Sequence, residues 1–177
     1  MKDTEQPGLK WISLAVCGAA VLAVLLASVS NCLAAEKQPL KVGFITVGPI
    51  NDWGYNYAHN QGRLFLEQAL PGKVVTVIAE NIPESAEVER VLAKMIAQGN
   101  GLIFTTSYGY YEPALRVGAR HPNVKFEQCG RMDTKNTKNL ATYFAKQYEP
   151  MYIAGVVAGR MTKKNSMGYI AAHPVPQ

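Results

Sequence analysis

Short strand-like segments alternate with longer segments of helical period along most of this sequence. Four segments, mostly apolar and bounded by turn residues, predict strands: LKVGFITV (40–47), KVVTVIA (73–79), GLIFTT (101–106) and VKFEQ (124–128). The segments between them repeat apolar residues every three or four positions and predict helices at 55–70, 85–98 and 112–120. Because helices separate the strands, we predict an α/β fold with a doubly wound parallel sheet and helices on both faces.

Three further elements are predicted towards the C-terminus. Residues 140–145 form a fifth extended segment, residues 150–161 form a helix, and MGYIAA (167–172) forms a sixth strand. The helix contains small residues that permit close backbone packing: Ala154, Gly155, Ala158 and Gly159. These positions predict that the helix packs against a sheet.

The first 35 residues differ in character from the rest. Lys10 precedes an apolar run at 11–29, and the small residues of NCLAA follow, which is typical of a secretory signal peptide cleaved after Ala34 or Ala35. We therefore predict a signal peptide at 1–35 and a periplasmic or otherwise extracytoplasmic protein. Two alternatives remain open at this point: an uncleaved membrane anchor, since the run is long enough to span a bilayer, and lipid attachment at Cys32.

Composition and motifs exclude several classes of function. The net charge of +5 is modest and the basic residues are scattered, which argues against nucleic acid binding. No glycine-rich phosphate motif follows a predicted strand, and the three histidines are far apart in sequence, so we expect no cofactor and no metal. No nucleophile motif is present either, and Cys129 at a predicted strand end is expected to be a buried, inert thiol. We predict that the protein is not an enzyme.

Two predicted loops at the carboxyl ends of strands are unusually polar and aromatic. GPINDWGYN follows the first strand and TSYGYYEP follows the third. Ligands of open α/β sheets bind at this edge, and the flat rings in these loops suit stacking on a planar heterocycle or a sugar. The candidate ligand-binding residues are Asn51, Asp52, Trp53, Tyr55, Ser107 and Tyr108. We expect Tyr110 and Tyr111 to close the edge of the sheet instead.

The chain resembles the basic membrane protein family of ABC-transporter substrate-binding proteins. The similarity is carried by the apolar N-terminus, KVGFITVGPINDWGYNYAHNQGR, ENIPESAEVERVLAKMIAQGNGLIFTTSYGY and EPMYIAGVVAGRMTKKNSMGYIAAHPVP. It implies a lobe like those of type I periplasmic binding proteins, capture of a purine nucleobase or nucleoside, and delivery to a membrane permease. By the family pattern, Tyr55 takes the position of the ring that stacks on the base.

Length is where the sequence departs from that family pattern. Proteins of this kind have two α/β lobes joined by a hinge and need roughly twice this length. We therefore expect an N-terminal lobe at 36–138 and, at 139–177, the crossover and the start of a truncated second lobe, so that the chain is an N-terminal fragment. The apolar helix near residues 152–157 should then be exposed. The alternative is a one-lobed, ligand-sensing or decayed relative without transport activity.

The assignment of the N-terminus can be tested directly. If residues 1–35 are a cleaved signal, mass spectrometry of the exported protein will give a new N-terminus at Ala35 or Glu36. A mature protein that retains residues 11–29 would indicate the anchor, and a diacylated Cys32 would indicate the lipoprotein.

Overall fold

The computed structural model describes residues 38–131 and 137–171; the predicted signal peptide, its Cys32 and Ala172 lie outside these ranges. In chain order the elements are β1 (Leu40–Thr46), α1 (Tyr55–Ala69), β2 (Val74–Ala79), α2 (Glu87–Ala97), β3 (Leu102–Thr106), a 3-10 turn (Tyr108–Tyr110), α3 (Tyr111–Arg120), β4 (Lys125–Cys129), β5 (Leu140–Tyr143) and α4 (Tyr148–Met161). The predicted strands and helices up to β4 are confirmed.

The five strands form one parallel sheet in the order β2-β1-β3-β4-β5. β1 lies inside the sheet, where Val42 is opposite Thr76 of β2 on one side and Leu102 of β3 on the other. The connection through α1 leads from β1 to β2 on one side of it. The later connections lead to β3, β4 and β5, which lie on the other side of β1. The winding direction therefore reverses between β1 and β3, as in a doubly wound fold.

One face of the sheet is covered by α2 and α3. Ile45 and Ile103 project from β1 and β3 into a buried core with Val88 and Leu92 of α2 and with α3. Helix α2 comes close to the sheet at Gly43, where an added Cβ would lie 2.8 Å from the Met95 sulfur. A larger residue there would require the Met95 side chain to move.

The opposite face carries α1. Thr76 of β2 donates a hydrogen bond from Oγ1 to Glu67 Oε1 (2.5 Å) and accepts one from Arg63 Nη1 (2.8 Å), and both partners belong to α1. Since Thr76 is opposite Val42 in the register, α1 lies on the face away from Gly43 and Ile45. The sheet therefore has helices on both faces, as the sequence predicted.

Asp52 fixes the start of α1. Gly54 occupies the N-cap position and has no side chain with which to cap the helix, so the carboxylate of Asp52 accepts hydrogen bonds from the N–H groups of Gly54 (2.9 Å), Asn56 (3.0 Å) and Tyr57 (2.9 Å). Desolvation raises the pKa of Asp52, but these three bonds and a fourth from the Asn56 amide outweigh it and lower the pKa to about 2.

Helix α4 has an exposed apolar surface. None of its residues is buried, and Tyr152, Ile153 and Met161 are between 63% and 76% exposed. The small residues Gly155 and Gly159 have no neighbour within 4 Å of an added Cβ, so the expected packing of this helix against a sheet is not observed. Among the described helices, none is long and apolar enough to cross a membrane.

The prediction of a sixth strand is wrong for residues 167–171. These residues have no regular structure, and Ile170 is 96% exposed. A strand needs a neighbouring strand for its N–H and C=O groups, and the described sheet ends at β5 on that side. An apolar run such as this one forms a strand only when the edge of a sheet is available to pair with it.

Removal of the Asp52 carboxylate should destabilise the chain. We expect Asp52→Ala to reduce the free energy of unfolding by about 0.5–2 kcal/mol, the usual range for loss of a helix cap. Because the pKa is lowered on folding, this stabilisation is fully present above the ordinary value near 3.8 and is lost as the pH falls through about 2. Urea denaturation at several pH values measures it, with Asn51→Ala as the control. A pH-independent difference between Asp52→Ala and the parent would contradict this account.

Hydrogen exchange should distinguish α4 from the sheet. No residue of α4 is buried, so local opening should be easy there. We expect residues 148–161 to exchange much faster than β1 and β3. Protection of α4 equal to that of β1 in a monomeric sample would contradict this expectation.

Candidate functional site

The polar loops lie at the point where the winding of the sheet reverses. Residues 47–54 follow β1, and the turn at Ser107–Tyr110 follows β3, its neighbour in the sheet. The two connections leave on opposite faces, since α1 covers one face and α3 the other. A crevice is left between them at the carboxyl edge, which is where doubly wound sheets bind their ligands.

Tyr55 stands at the centre of this crevice. It is the first residue of α1, is half-buried, and its ring meets the His59 ring edge-on with centroids 4.6 Å apart. Burial, with further contributions from Cys129 and Glu84, raises the pKa of the Tyr55 hydroxyl far above its ordinary value. The ring is thus a neutral aromatic surface, and its hydroxyl interacts with the Cys129 thiol.

Two cavities meet at Tyr55. The first, of about 500 Å³, lies between α1 and the ends of β4 and β5; its walls include Ala58, His59, Cys129 and Tyr143. The second, of about 570 Å³, lies over β1 and β3; its walls include Asn56, Glu84, Ser107 and Tyr108. Tyr55, Phe144 and Gln147 line both cavities, so the two are adjacent, and together they are called the groove below.

The rest of the first loop supports the groove from outside. Asn51 is exposed, and Asp52 uses its carboxylate to hold the start of α1. Trp53 adopts a left-handed backbone with φ of 53°, and its ring is 82% exposed, with its centroid 5.1 Å from that of Tyr57. Left-handed backbone is costly for a residue other than glycine and is often found at functional loops.

Ser107 and Tyr108 line the second cavity together with Glu84, a residue that the sequence analysis missed. The carboxylate oxygen Oε1 of Glu84 accepts hydrogen bonds from Ser107 Oγ (2.5 Å) and from the Gly109 N–H (2.7 Å). Glu84 lies in the loop after β2, whose carboxyl end faces the same edge of the sheet. Its place in the acidic segment ENIPESAE was the available signal, but the pairing partners come from another loop and cannot be read from the sequence.

The strand ends beneath the groove are fixed by side chains. Gln128, which is completely buried, donates hydrogen bonds from Nε2 to the carbonyl oxygens of Ser107 (2.8 Å) and Cys129 (2.9 Å). Thr106 Oγ1 donates to the Ile45 carbonyl oxygen (2.8 Å) and links β3 to β1. Tyr110 donates its hydroxyl to the Ile82 carbonyl and is buried, in agreement with its predicted structural role.

Few side chains in and near the groove carry a charge. Burial lowers the pKa of His59 and raises that of the Cys129 thiol, so both groups are neutral at physiological pH. The guanidinium of Arg131 lies 5.4 Å from the Tyr108 ring centroid and pairs with Glu112 (3.0 Å) on α3. No group of three or more metal-ligating side chains occurs within residues 38–131 and 137–171. The groove therefore offers aromatic faces, hydrogen-bonding groups and one acidic side chain, Glu84.

Comparison with known proteins gives this groove a context. Residues 40–177 match the family described as PnrA-like ABC transporter substrate-binding proteins. A purine-binding protein of Brucella abortus is 41% identical over 157 residues, which cover 89% of this chain and 44% of that protein. A protein of Haloferax volcanii, provisionally named an ABC transporter glucose-binding protein, is 32% identical and is covered over 35% of its length.

A solved structure agrees with the fold. An ABC transporter solute-binding protein from Conexibacter woesei superposes with a TM-score of 0.58 at 23% identity, over 68% of this chain and 40% of that one. This chain thus spans less than half the length of the relatives described here. The match of the family to residues 40–177 confirms the resemblance seen in the sequence motifs, and the chain belongs to the PnrA-like family of ABC transporter substrate-binding proteins.

Proposed function

We propose that this chain captures a purine nucleobase or nucleoside in the groove at Tyr55, as the substrate-binding component of an ABC importer, and presents it to a membrane permease. The family supports the transport role, and the name of the Brucella abortus relative supports the purine. In this proposal the chain acts outside the cytoplasm after export by the signal at 1–35.

The observation that carries the proposal is the position of the Tyr55 ring. It lines both cavities at the reversal point of the sheet and is held there by contacts with His59 and Cys129. A fixed, neutral aromatic face is what stacking on a planar base requires, because a ring already held in place loses little entropy on binding. Ser107 and Tyr108 supply a hydroxyl and a second ring from the opposite wall.

The remaining residues of the first loop have separate roles in this proposal. Asp52 holds the helix from which Tyr55 projects, and Asn51 offers an exposed amide at the rim. The exposed ring of Trp53 covers the ligand from the loop side. Its left-handed backbone supports this assignment, because residues held in such a costly conformation cluster at functional sites.

The proposal also concerns the domain organisation. Residues 36–138 form most of the first lobe, to which β5 adds the last strand of the described sheet, and residues 139–177 lead into a second lobe. The exposed apolar side chains of α4 support this division, because such a surface is normally covered in a folded protein. In a two-lobed protein the second lobe would close over the groove and contact the other face of the ligand.

A sugar is the second candidate ligand. The provisional name of the Haloferax volcanii relative favours glucose, and aromatic rings stack on sugars as well as on bases. The two candidates differ in the ligand alone, so one titration series distinguishes them.

Truncation of Tyr55 is the main test. One stacked base contributes about 1–3 kcal/mol, so Tyr55→Ala should weaken adenine, adenosine or guanosine binding by roughly ten- to a hundredfold. Tyr55→Phe keeps the ring and should have much less effect. Titration monitored by NMR is suitable because it reports weak as well as tight binding.

The matched control is Phe65→Ala. Phe65 lies on the same helix, is 69% exposed and does not line the groove, so its loss should leave binding unchanged. Purine binding by Tyr55→Ala with the affinity of the parent would show that Tyr55 is structural. Binding of glucose in place of every purine would establish the second candidate.

A further inference from the structure

We infer that Glu84 is a specificity-determining residue, which makes the groove selective for uncharged ligands and excludes phosphorylated ones. The inference rests on the proposed function for the identity of the ligand, but its physical basis is the charge distribution of the groove. It predicts that a nucleobase or nucleoside binds and that a nucleoside phosphate does not.

Glu84 is held in the wall of the groove by two loops. Its own loop follows β2, and both of its described hydrogen bonds, from Ser107 Oγ and Gly109 N–H, come from the turn after β3. Both bonds end on Oε1. The second oxygen, Oε2, therefore remains as an acceptor beside the cavity that Glu84 lines.

The position of the carboxylate depends on Gly109. A Cβ added there would lie 2.5 Å from Glu84 Cδ and within 2.8 Å of both carboxylate oxygens. The carboxylate can approach the turn this closely because glycine lacks a side chain. Glu84 is exposed to solvent, but its two hydrogen bonds to the turn after β3 hold the carboxylate in the wall of the groove.

The charge of Glu84 is not balanced inside the groove. Among the described residues that line the wider cavity, Glu84 is the only acidic or basic side chain. The nearby Arg131 is stacked over the rings of Tyr108 and Tyr111 and paired with Glu112 on α3. Asp52, whose pKa is about 2, adds a second negative charge at the start of α1.

A phosphate would therefore meet repulsion without compensation. Phosphate sites are built from Lys or Arg side chains and from free backbone N–H donors. Here the Gly109 N–H and the Ser107 hydroxyl already donate to the protein's own carboxylate. An uncharged ligand gains from the same arrangement, because a ring N–H, an amino group or a hydroxyl can donate to Oε2.

The test compares adenosine with adenosine 5′-monophosphate on the full chain, by NMR titration. We expect the parent to prefer adenosine by about a hundredfold or more, and Glu84→Gln to reduce this preference at least about tenfold. Glu84→Asp keeps the charge and should keep the preference. Glu89→Gln is the control with the same change of net charge, since Glu89 pairs with Arg116 and Arg120 on the outer surface of α2 and α3.

Ribose and ribose 5-phosphate, which lack a base, test the role of Glu84 independently of whether the groove binds purines. Ribose 5-phosphate should shift the Gly109 amide of Glu84→Gln in a phosphate-dependent way that ribose does not, and should leave the parent unaffected. If the parent binds no purine, the proposed function fails, and this comparison still decides the role of Glu84. An equal response of parent and Glu84→Gln to both phosphorylated ligands would overturn the inference.

Discussion

The pairing of β1 with β3 is the contact on which the rest of the structure depends. It places two strands side by side whose connections leave on opposite faces, with α1 on one and α3 on the other. The groove exists because of this divergence. Three different connections contribute to its walls: the first supplies Tyr55, the second Glu84 and the third Ser107.

The same arrangement explains how the side chains of the groove are held in place. Parallel strands direct all their carboxyl ends to one edge, and the side chains there are held by neighbours that are themselves buried, such as Gln128 beneath Ser107. The resulting surface has fixed rings and hydrogen-bonding groups but, within the described residues, no lysine or arginine in its wall.

The sequence predicts the sheet better than it predicts the site. The strands and helices up to β4 follow from apolar periodicity and turn residues, which depend on near neighbours in the chain. The loop residues could be named because strand ends are local features. Glu84 could not be assigned, since its partners lie 23 and 25 residues away and meet it only when β2 and β3 flank β1. The prediction of a sixth strand was wrong because it, too, depended on a distant partner. MGYIAA has strand propensity, but the described sheet gives residues 167–171 no strand to pair with.

The strand order also has a consequence for how the chain folds. The hydrogen bond between Thr106 and Ile45 joins residues 61 apart in sequence, and β1–β3 pairing is non-local throughout. A loop of that length must close before the central contacts of the sheet can form, which slows folding relative to helical proteins of similar size. During that interval the apolar segments of β1 and β3 are unprotected. The unpaired edges of such partly folded chains are prone to aggregate until the sheet closes.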